Sequence, residues 1–495
     1  MPDRKQHAAR RAVHRVSDPL LRRADRAVGG RGRLRVVLLL ALVIALDGAD
    51  KATVSVNAGA LEQVFGIGHT GIGLLVSATS LAGALATLPV GILTDRVNRT
   101  RLLSVSIVLW SLAMIAASLA MSYPFLLVAR VALGAVTATA GPTLASLVGD
   151  FFPASERARF YGYILAGELV GTGAGYVVSS NLAELLSWRV SFAWLAVPGL
   201  FLARWFARLP EPRRGGQGDG EEEPAEEANP SARHVVRTAR SEPRPERVLR
   251  EDPREMSAPR AFRYVLRIPT ILLMIAASAL AYFFFAGVRS FGVLYVTGHY
   301  GVSKSTASGL TLVVGVGILA GLMAGARLPD VALRRGHASG RVLVPAVALL
   351  AVGPILAVGL VLTSPLAAVP VLTLGAGVLA SANPPLDAAR LDIVPPGLWG
   401  RSEAARTLVR SAAESCAPLL FGYLASHVFG SYGRIGGLEA AFLVCLVPLL
   451  AAGLLSLVAL RTYPRDVATA LESARRPAAE GEKHEGQESG AKEPE

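Results

Sequence analysis

Long apolar stretches recur along the whole chain and alternate with short polar segments. A membrane-spanning helix needs about 20 predominantly apolar residues, and twelve stretches of this kind are present in two groups of six. The first group covers residues 35–59, 71–93, 101–121, 124–148, 158–181 and 190–208, and the second covers residues 268–297, 304–328, 341–362, 366–389, 402–428 and 437–461. The pattern predicts an all-α membrane protein with twelve transmembrane helices in two six-helix halves.

Polar segments flank and separate the two groups. Residues 1–34 form a basic N-terminal tail, residues 209–267 form a linker rich in Pro, Gly, Glu and Arg, and residues 463–495 form a polar C-terminal tail. Segments of this composition bury too little apolar surface to offset the entropy of ordering. We therefore expect the linker and the C-terminal tail to be disordered. The two six-helix halves are then residues 35–208 and 268–462.

The basic residues of the loops predict how the chain crosses the membrane. Loops on the side of the tails and the linker hold many arginines, whereas loops on the other side hold little more than Arg189, Lys304 and Arg434. Cytoplasmic loops carry the excess of Lys and Arg. We expect a multi-pass protein of a bacterial plasma membrane, with both termini in the cytoplasm and the first span retained.

Composition excludes several classes of function. Of the 495 residues, 18% are charged, compared with about 25% in soluble proteins. The net charge of +13 could indicate nucleic-acid binding, but the basic residues lie beside spans, where they set topology. Cys416 and Cys445 lie in apolar stretches, and no catalytic constellation, metal-ligand spacing or P-loop is present. We expect no enzyme activity, no cofactor, no metal and no nucleic-acid partner.

Ionisable residues inside spans are candidates for function because they are costly there. Asp47, Asp50 and Lys51 have the spacing i, i+3, i+4 and share one face of the first span. Asp47 and Lys51 can pair locally, which reduces the cost of burial. The face is predicted to line a central cavity, and the alternative is a purely structural ion pair.

Glu168 lies near the middle of the fifth span and has no basic neighbour on its own helix face. Desolvation favours the protonated form of such a carboxylate unless a cation approaches from another helix. Glu168 is therefore a candidate protonation site. The alternative is a cavity residue that forms hydrogen bonds and takes no part in coupling.

Basic residues also occur inside spans of both halves. Arg130 either faces protein within the fourth span or lies close enough to its start to reach the surface. Arg289 in the seventh span either receives a phosphate or carboxylate bidentately or pairs with an acid of the first span. Arg410 and Glu414 share a face of the eleventh span, and they complete the set of candidates for binding or coupling.

The loop after the second span carries an acidic residue followed by three arginines. It reads Gly91-Ile-Leu-Thr-Asp95-Arg96-Val-Asn-Arg99-Thr-Arg101, and it resembles the signature G-x-x-x-D-R-x-x-R-x-R of the major facilitator superfamily. The stretch Arg130-Val-Ala-Leu-Gly134 resembles a second element of that superfamily. The resemblance implies the two-half fold, alternating access, and a gating loop in which Asp95 faces a helix N-terminus while the arginines meet lipid headgroups.

Two rows of glycine occur at a spacing of four residues, in the fifth and the eighth span. The rows are Gly167, Gly171, Gly175 and Gly317, Gly321, Gly325. Small residues at this spacing let helix backbones approach closely. In the superfamily these two helices pack against each other, so the resemblance implies a seam between the halves. The alternative is close packing within each half.

Several segments resemble the Spinster-like branch of the superfamily, whose members move lysophospholipids and sphingosine phosphates. They are Asp50-Lys51, Asp95-Arg96-Val-Asn-Arg99, Asn383-Pro384-Pro385, Asp392-Ile-Val-Pro-Pro396, Arg401-x-Glu403-Ala404 and Glu414-x-x-x-Pro418. The branch usually has a glutamate after the glycine of the fourth span, whereas no acid follows Gly134 here. A role given to that acid therefore does not carry over.

These observations lead to one interpretation and two alternatives. We expect a secondary active or facilitative transporter that works by alternating access, whose cargo is a small molecule or a lysolipid-like, amphiphilic organic anion. Membrane lipids are expected partners, protons are a hypothetical coupling ion, and the protein is expected to be a monomer. The alternatives are a proton-coupled exporter of drugs or metabolites, and a transporter-like sensor that moves no cargo.

Overall fold

The computed structural model describes residues 31–151, 154–211, 230–249, 256–337, 339–395 and 398–490, and this part of the chain is helical throughout, without a β-strand. The first half comprises α1 (Arg31–Phe65), α2 (His69–Arg96), α3 (Arg99–Ser118), α4 (Tyr123–Thr137), α5 (Ala140–Phe151), α6 (Ala154–Leu185), α7 (Trp188–Ala193) and α8 (Ala196–Phe206). The linker contains α9 (Pro230–Ala239) and α10 (Ala258–Val265). The second half comprises α11 (Pro269–Tyr300), α12 (Lys304–Arg334), α13 (Gly340–Val361), α14 (Pro365–Ser381), α15 (Asn383–Asp392), α16 (Trp399–Tyr423), α17 (Gly433–Val444) and α18 (Val447–Gly490).

The helices reproduce the predicted spans. Seven helical segments of the described chain are long and apolar enough to cross a membrane, and α4 is a shorter apolar helix. The fourth, sixth, tenth and twelfth spans each consist of two helical segments, namely α4–α5, α7–α8, α14–α15 and α17–α18. In the tenth span the second segment begins at Asn383-Pro384-Pro385, where proline lacks the N–H that would continue the helical ladder.

The two halves repeat the same pairing of helices. In the first half α1 packs on α6 and α2 packs on α4, and in the second half α11 packs on α16 and α12 packs on α14. When the spans are numbered within each half, the first span packs on the fifth and the second packs on the fourth in both halves. The two predicted six-helix halves therefore repeat each other in the packing of their helices.

Both glycine rows pack within their own half, which corrects the predicted seam. A Cβ atom on Gly167, Gly171 or Gly175 would collide with the backbone of α1, at Ala41, Ala45 and Ala49. A Cβ atom on Gly317, Gly321 or Gly325 would collide with the backbone of α14, at Thr373, Gly377 and Ser381. These glycines allow close approach of neighbouring helices inside each half, so the alternative interpretation of the rows is the correct one.

Parts of the linker and of the C-terminal tail are ordered, contrary to the prediction of disorder. Val235 of α9 is buried, in a hydrophobic cluster that includes Tyr463 and Val467 of α18. Arg244 forms an ion pair of 3.1 Å with the buried Asp466. Residues 230–249 of the linker therefore lie against α18, while residues 212–229 and 250–255 lie outside the described part of the chain.

The halves contact each other at the end of the molecule opposite the linker, which we call the far end. There α2 meets α16, where the backbone N–H of Leu419 donates to Ser77 Oγ over 3.1 Å. The fifth and eighth spans also meet there, where the backbone N–H of Ser305 in α12 donates to Glu184 Oε1 of α6 over 2.7 Å. Val56 of α1 and Val293 of α11 belong to one buried cluster. Three helix pairs thus close the far end.

Candidate functional site

Three charged residues near the middle of two helices of the first half, α1 and α6, form a cluster. Lys51 Nζ lies 2.5 Å from Asp47 Oδ2, as the helical spacing predicted, and 3.4 Å from Glu168 Oε1 of α6. The three side chains are 35%, 30% and 39% exposed, although α1 and α6 pack closely on each other. Their partial exposure indicates that they line a solvent-accessible space.

The cluster changes the interpretation of Glu168 as an isolated carboxylate. The sequence offered no basic neighbour on the same helix, and the structure brings Lys51 to it from α1. The isolation on which the prediction of a protonation site rested is therefore absent in this conformation.

Asp50 points away from this cluster and pairs with Arg130 of α4. Arg130 Nη1 donates to Asp50 Oδ1 over 2.6 Å, and both side chains are almost completely buried. Arg130 therefore faces protein and does not extend to the membrane surface. Because a buried charge is costly unless it is paired, each residue depends on the other to remain inside the half.

Arg289 of α11 brings a positive charge from the second half towards the cluster. Its charge is near enough to act on Lys51 and on the hydroxyl of Tyr176, and its guanidinium lies 5.9 Å from the ring centroid of Phe285. No ion pair joins it to a carboxylate among the described residues. Of the two alternatives for Arg289, the pair with Asp47 or Asp50 is thus not made in this conformation, and the guanidinium is available to a ligand.

The charged residues of the eleventh span pair within the second half. Arg410 Nε lies 3.5 Å from Glu414 Oε1, and the guanidinium of Arg410 lies 4.5 Å from the ring centroid of Tyr282. One turn earlier, Arg406 pairs with Asp387 of α15 over 3.0 Å. These contacts tie α16 to α11 and to α15, and they leave the Arg410–Glu414 pair facing the same side as Tyr282.

The gating loop is described only in part. Only the helical backbone is described at Gly91, Asp95 and Arg96, so the predicted role of the Asp95 side chain stays a prediction. Arg101 is exposed. Arg99 is buried and donates from Nε to Glu211 Oε1 over 2.7 Å, which differs from the expected contact with lipid headgroups.

Glu211 ties the gating loop to the first residues after the sixth span. Burial alone would raise the pKa of Glu211, but hydrogen bonds from Arg99 and from the backbone N–H of Thr100 hold that pKa below its ordinary value. The carboxylate is therefore charged at neutral pH. The favourable contribution of this contact is present above the ordinary pKa of a glutamate and is lost as the pH falls through the lowered pKa.

A charged cluster that sequence reasoning missed lies at the far end. His69 Nδ1 is 2.5 Å from Glu62 Oε1, and Arg434 of the second half forms an ion pair with the other oxygen of Glu62. The available signal was Glu62 inside an apolar helix, seven residues before a histidine that begins the next span. The prediction placed Arg434 among the basic residues of the loops and gave it no role beyond topology.

A set of hydrogen bonds that the sequence did not predict joins the part of α1 nearer the far end to its neighbours. Thr53 Oγ1 lies 2.6 Å from Ser179 Oγ, which also accepts from Trp194 Nε1 over 3.0 Å. The amide of Asn57 donates to Ser191 Oγ over 2.6 Å. All of these residues belong to the first half, so they fix α1 against α6 and α7 and hold the charged face of α1 in position.

Known proteins share this architecture. The chain is 28% identical over 182 residues to the hexuronate transporter of Bacillus subtilis (strain 168), covering 37% of this chain and 43% of that protein. It is 30% identical over 193 residues to human protein spinster homolog 1, covering 38% of this chain and 36% of that protein. The chain thus matches less than half the length of either relative.

A solved structure extends the similarity to nearly the whole fold. It is described as a bacterial homolog to the human lysosomal transporter Spinster, in inward-facing and occupied conformation. It superposes with a TM-score of 0.71 at 20% identity, and the match covers 87% of this chain and 97% of that one. At this identity the likeness shows the fold alone. It agrees with the predicted twelve-helix architecture.

The family assignment rests on a match that covers most of the chain. The family model described as the Major Facilitator Superfamily matches residues 40–413, which include nearly all of the first half, the linker and most of the second half. The superfamily predicted from the gating loop is thereby confirmed, together with the similarity to Spinster proteins. The chain is a multi-pass membrane protein and belongs to the Major Facilitator Superfamily.

Proposed function

We propose that this protein is a transporter that carries a small organic anion across the membrane by alternating access. The observation that carries the proposal is the position of Arg289. It is a guanidinium of the second half without a carboxylate partner among the described residues, and its charge acts on Lys51 of the Asp47–Lys51–Glu168 cluster of the first half. A cation on this surface offers a bidentate site to a carboxylate or a phosphate.

The position of this site between the halves supports alternating access. Cargo sites of such transporters lie near the membrane midplane at the interface of the two repeats, and the repeats rock around them. An anion bound to Arg289 would also come under the influence of Lys51, so that it contacts both halves. Its binding energy would then depend on how the halves are arranged.

The class of cargo follows from the same chemistry. The relatives are named for a hexuronate, which carries a carboxylate, and for Spinster. We propose that the cargo is an organic anion of this kind, with a lysolipid-like or other amphiphilic anion as the more specific hypothesis. The expected absence of enzyme activity agrees with the family.

Coupling to protons is a second part of the proposal, and it rests on Asp50 and Glu168. Both carboxylates are held by cations in this conformation. A proton on Glu168 would release Lys51 from one of its two partners and make its charge available to an anion. Protonation of Glu168 would thus favour anion binding, and coupling would follow from competition for Lys51.

The orientation in the membrane is likewise proposed from the loop charges. The linker end is assigned to the cytoplasm because it holds the basic loops. The conformation described here would then be closed towards the outside.

The test is uptake into proteoliposomes that contain the purified full-length protein. The probes are labelled galacturonate, as a hexuronate, and a labelled lysophospholipid, each with an imposed pH gradient and with the gradient collapsed by an ionophore. We expect saturable uptake of at least one probe, and a faster rate with the gradient if protons are coupled. Equal rates with and without the gradient would contradict coupling and leave the anion site standing.

Variants of Arg289 assign the site. A hydrogen bond to a charged group contributes about 1.5–3 kcal/mol, so Arg289→Met is expected to lower kcat/KM by about 10- to 100-fold, with partial recovery in Arg289→Lys. Arg267→Met is the matched control, because it removes an exposed arginine at the linker end. Uptake that survives Arg289→Met unchanged would refute the proposed site. A folded protein with no uptake of either probe would refute the proposed cargo class and favour the sensor.

A further inference from the structure

The far-end cluster of Glu62, His69 and Arg434 is a second charged site, remote from Arg289. Glu62 lies in the last turn of α1 and His69 begins α2, and their side chains are only 3% and 4% exposed. Glu62 binds His69 through Oε1 and Arg434 through Oε2. His69 Nε2 lies 3.0 Å from the backbone carbonyl oxygen of Arg434. Every polar atom of the two buried side chains is therefore engaged.

The contacts of His69 determine how many protons the site holds. A carbonyl oxygen can only accept a hydrogen bond, so Nε2 carries a hydrogen and donates it to Arg434. The 2.5 Å contact between Nδ1 and Glu62 Oε1 then needs a hydrogen of its own. That hydrogen lies on Nδ1 in an imidazolium–carboxylate pair, or on Oε1 in a neutral imidazole–carboxylic acid pair. In both cases the pair holds one proton more than a neutral histidine with a charged glutamate.

Both contacts with Arg434 cross between the halves. Glu62 and His69 belong to the first half, whereas Arg434 begins α17 in the second half. If the far end opens, Arg434 moves away together with its carbonyl group and its guanidinium. Water then reaches His69, and either imidazole nitrogen can carry the hydrogen. The open arrangement therefore satisfies both imidazole nitrogens without the extra proton, and this hydrogen-bond requirement of the closed arrangement acts against the repulsion between that proton and the Arg434 guanidinium.

We propose that the Glu62–His69 pair is a proton-binding site and that its proton favours closure of the far end. By linkage, a conformation that binds a proton more tightly gains population as the pH falls. Loss of the proton would leave the lone pair of Nδ1 facing a carboxylate in a buried site, which is costly. Acidic pH thus favours the closed far end, and alkaline pH favours opening.

Other charged and titratable groups surround this pair and must be separated from it. His427 of the eleventh span lies 3.3 Å from Thr70 Oγ1, but it is exposed. His299 of α11 pairs with Glu439 of α17 over 3.3 Å, within the second half. Tyr295 and Tyr300 lie beside His299.

The remaining neighbours carry no group that changes charge near neutral pH. Phe291 of α11 meets the ring of His69. Arg189 covers Trp188, whose ring contacts Phe65 of α1. Histidine is the side chain that changes charge between about pH 5 and 8, so His299 and His427 are the two competing sources of a pH effect.

The test is the distance across the far end, measured by spin-label spectroscopy at several pH values. Labels are attached to Met121→Cys in the first half and Leu366→Cys in the second, which are 92% and 88% exposed at the far end. Cys416→Ser and Cys445→Ala remove the native thiols, and the full-length protein is held in nanodiscs without cargo. Open molecules give a long distance between the labels and closed molecules a short one. The ratio of the open to the closed population is expected to rise between about pH 5 and 9, by at most about tenfold per pH unit for one linked proton.

Four variants assign the effect to its source. Glu62→Gln and His69→Gln are each expected to flatten the pH profile, because the amide of a glutamine at position 62 can donate to a neutral His69 without an added proton. His299→Gln and His427→Gln are the matched controls and should keep the wild-type slope. If either Glu62→Gln or His69→Gln is not monodisperse, the pH profile of the other variant decides whether the effect comes from this pair.

A wild-type profile that is flat over this range would overturn the proposal. A slope that persists in Glu62→Gln and His69→Gln, or that disappears in a control, would do the same. The inference rests on the proposed movement of the two halves, but the experiment contains no cargo. A wrong cargo class would leave its outcome unchanged, so the failure of one proposal is distinguishable from the failure of the other.

Discussion

Asp50 and Arg130 lie within the spans of the first half and are almost completely shielded by protein. The pair joins α1 to α4, and Arg130 Nε has no hydrogen-bond partner among the described residues. Such a pair contributes little by itself relative to an apolar pair, but removing one partner leaves an uncompensated charge. At the scale of single residues, the first half is therefore sensitive to the loss of either charge.

Asp50→Ala is expected to lower the free energy of unfolding by about 3–5 kcal/mol, because Arg130 then remains buried without a counter-charge. The double variant Asp50→Asn with Arg130→Gln should cost less than the sum of the two single variants. Asp47→Asn is the control, because Asp47 is 30% exposed and water can replace its contact. Thermal unfolding in nanodiscs, followed by circular dichroism, measures these differences. Additive losses in the double variant would contradict the pairing.

The sequence predicted some of these contacts and could not predict others. Asp47 and Lys51 share a helix face, so their pairing follows from the spacing alone. Asp50 and Arg130 are 80 residues apart, and Glu62 and Arg434 are 372 apart. Such partners are chosen by the packing of spans, which the pattern of a single helix does not contain.

At the scale of the helices, glycine sets how closely neighbouring spans approach. A Cβ atom on Gly321 of α12 would overlap the backbone of α14 at Gly377, whereas Gly309 and Gly315 on the same helix have open space around them. The same residue type thus has different effects along one helix. Contact with a neighbouring backbone decides which glycines are required.

Gly321→Ala is expected to lower the free energy of unfolding by about 1–3 kcal/mol, because α12 and α14 must separate to admit the methyl group. Gly315→Ala should be neutral or should stabilise the protein by up to about 1 kcal/mol, since alanine is the better helix former. Thermal unfolding midpoints of the two variants, compared with wild type, measure the difference. Equal midpoints would contradict the close contact of α12 and α14.

Helix positions were predictable because long apolar runs dominate the sequence, whereas the folded part of the linker was not. The segment Pro230–Ala239 is polar overall, and its stability comes from burying Val235 in a cluster with residues of α18. Tertiary packing of this kind overrides local composition. The glycine rows were likewise only partly predictable. Their spacing indicates close approach to another helix but does not indicate which helix that is.

At the scale of the whole molecule, two repeated halves meet at the far end and hold a charged surface between them. Helix pairs α2–α16, α6–α12 and α1–α11 make the contacts that close this end. The Asp47–Lys51–Glu168 cluster and Arg289 come from opposite halves. In the proposed mechanism, rocking of the halves exposes these residues to one side of the membrane and then to the other.

Counterflow in proteoliposomes tests this mechanism most directly. Vesicles with the purified protein are loaded with unlabelled galacturonate or unlabelled lysophospholipid and diluted into a trace of the labelled compound. The account predicts transient accumulation of label above its equilibrium level in wild type and in Arg267→Met, with loss of accumulation in Arg289→Met. Label that only equilibrates in wild type, or that accumulates equally in Arg289→Met, would contradict an alternating-access carrier with its anion site at Arg289.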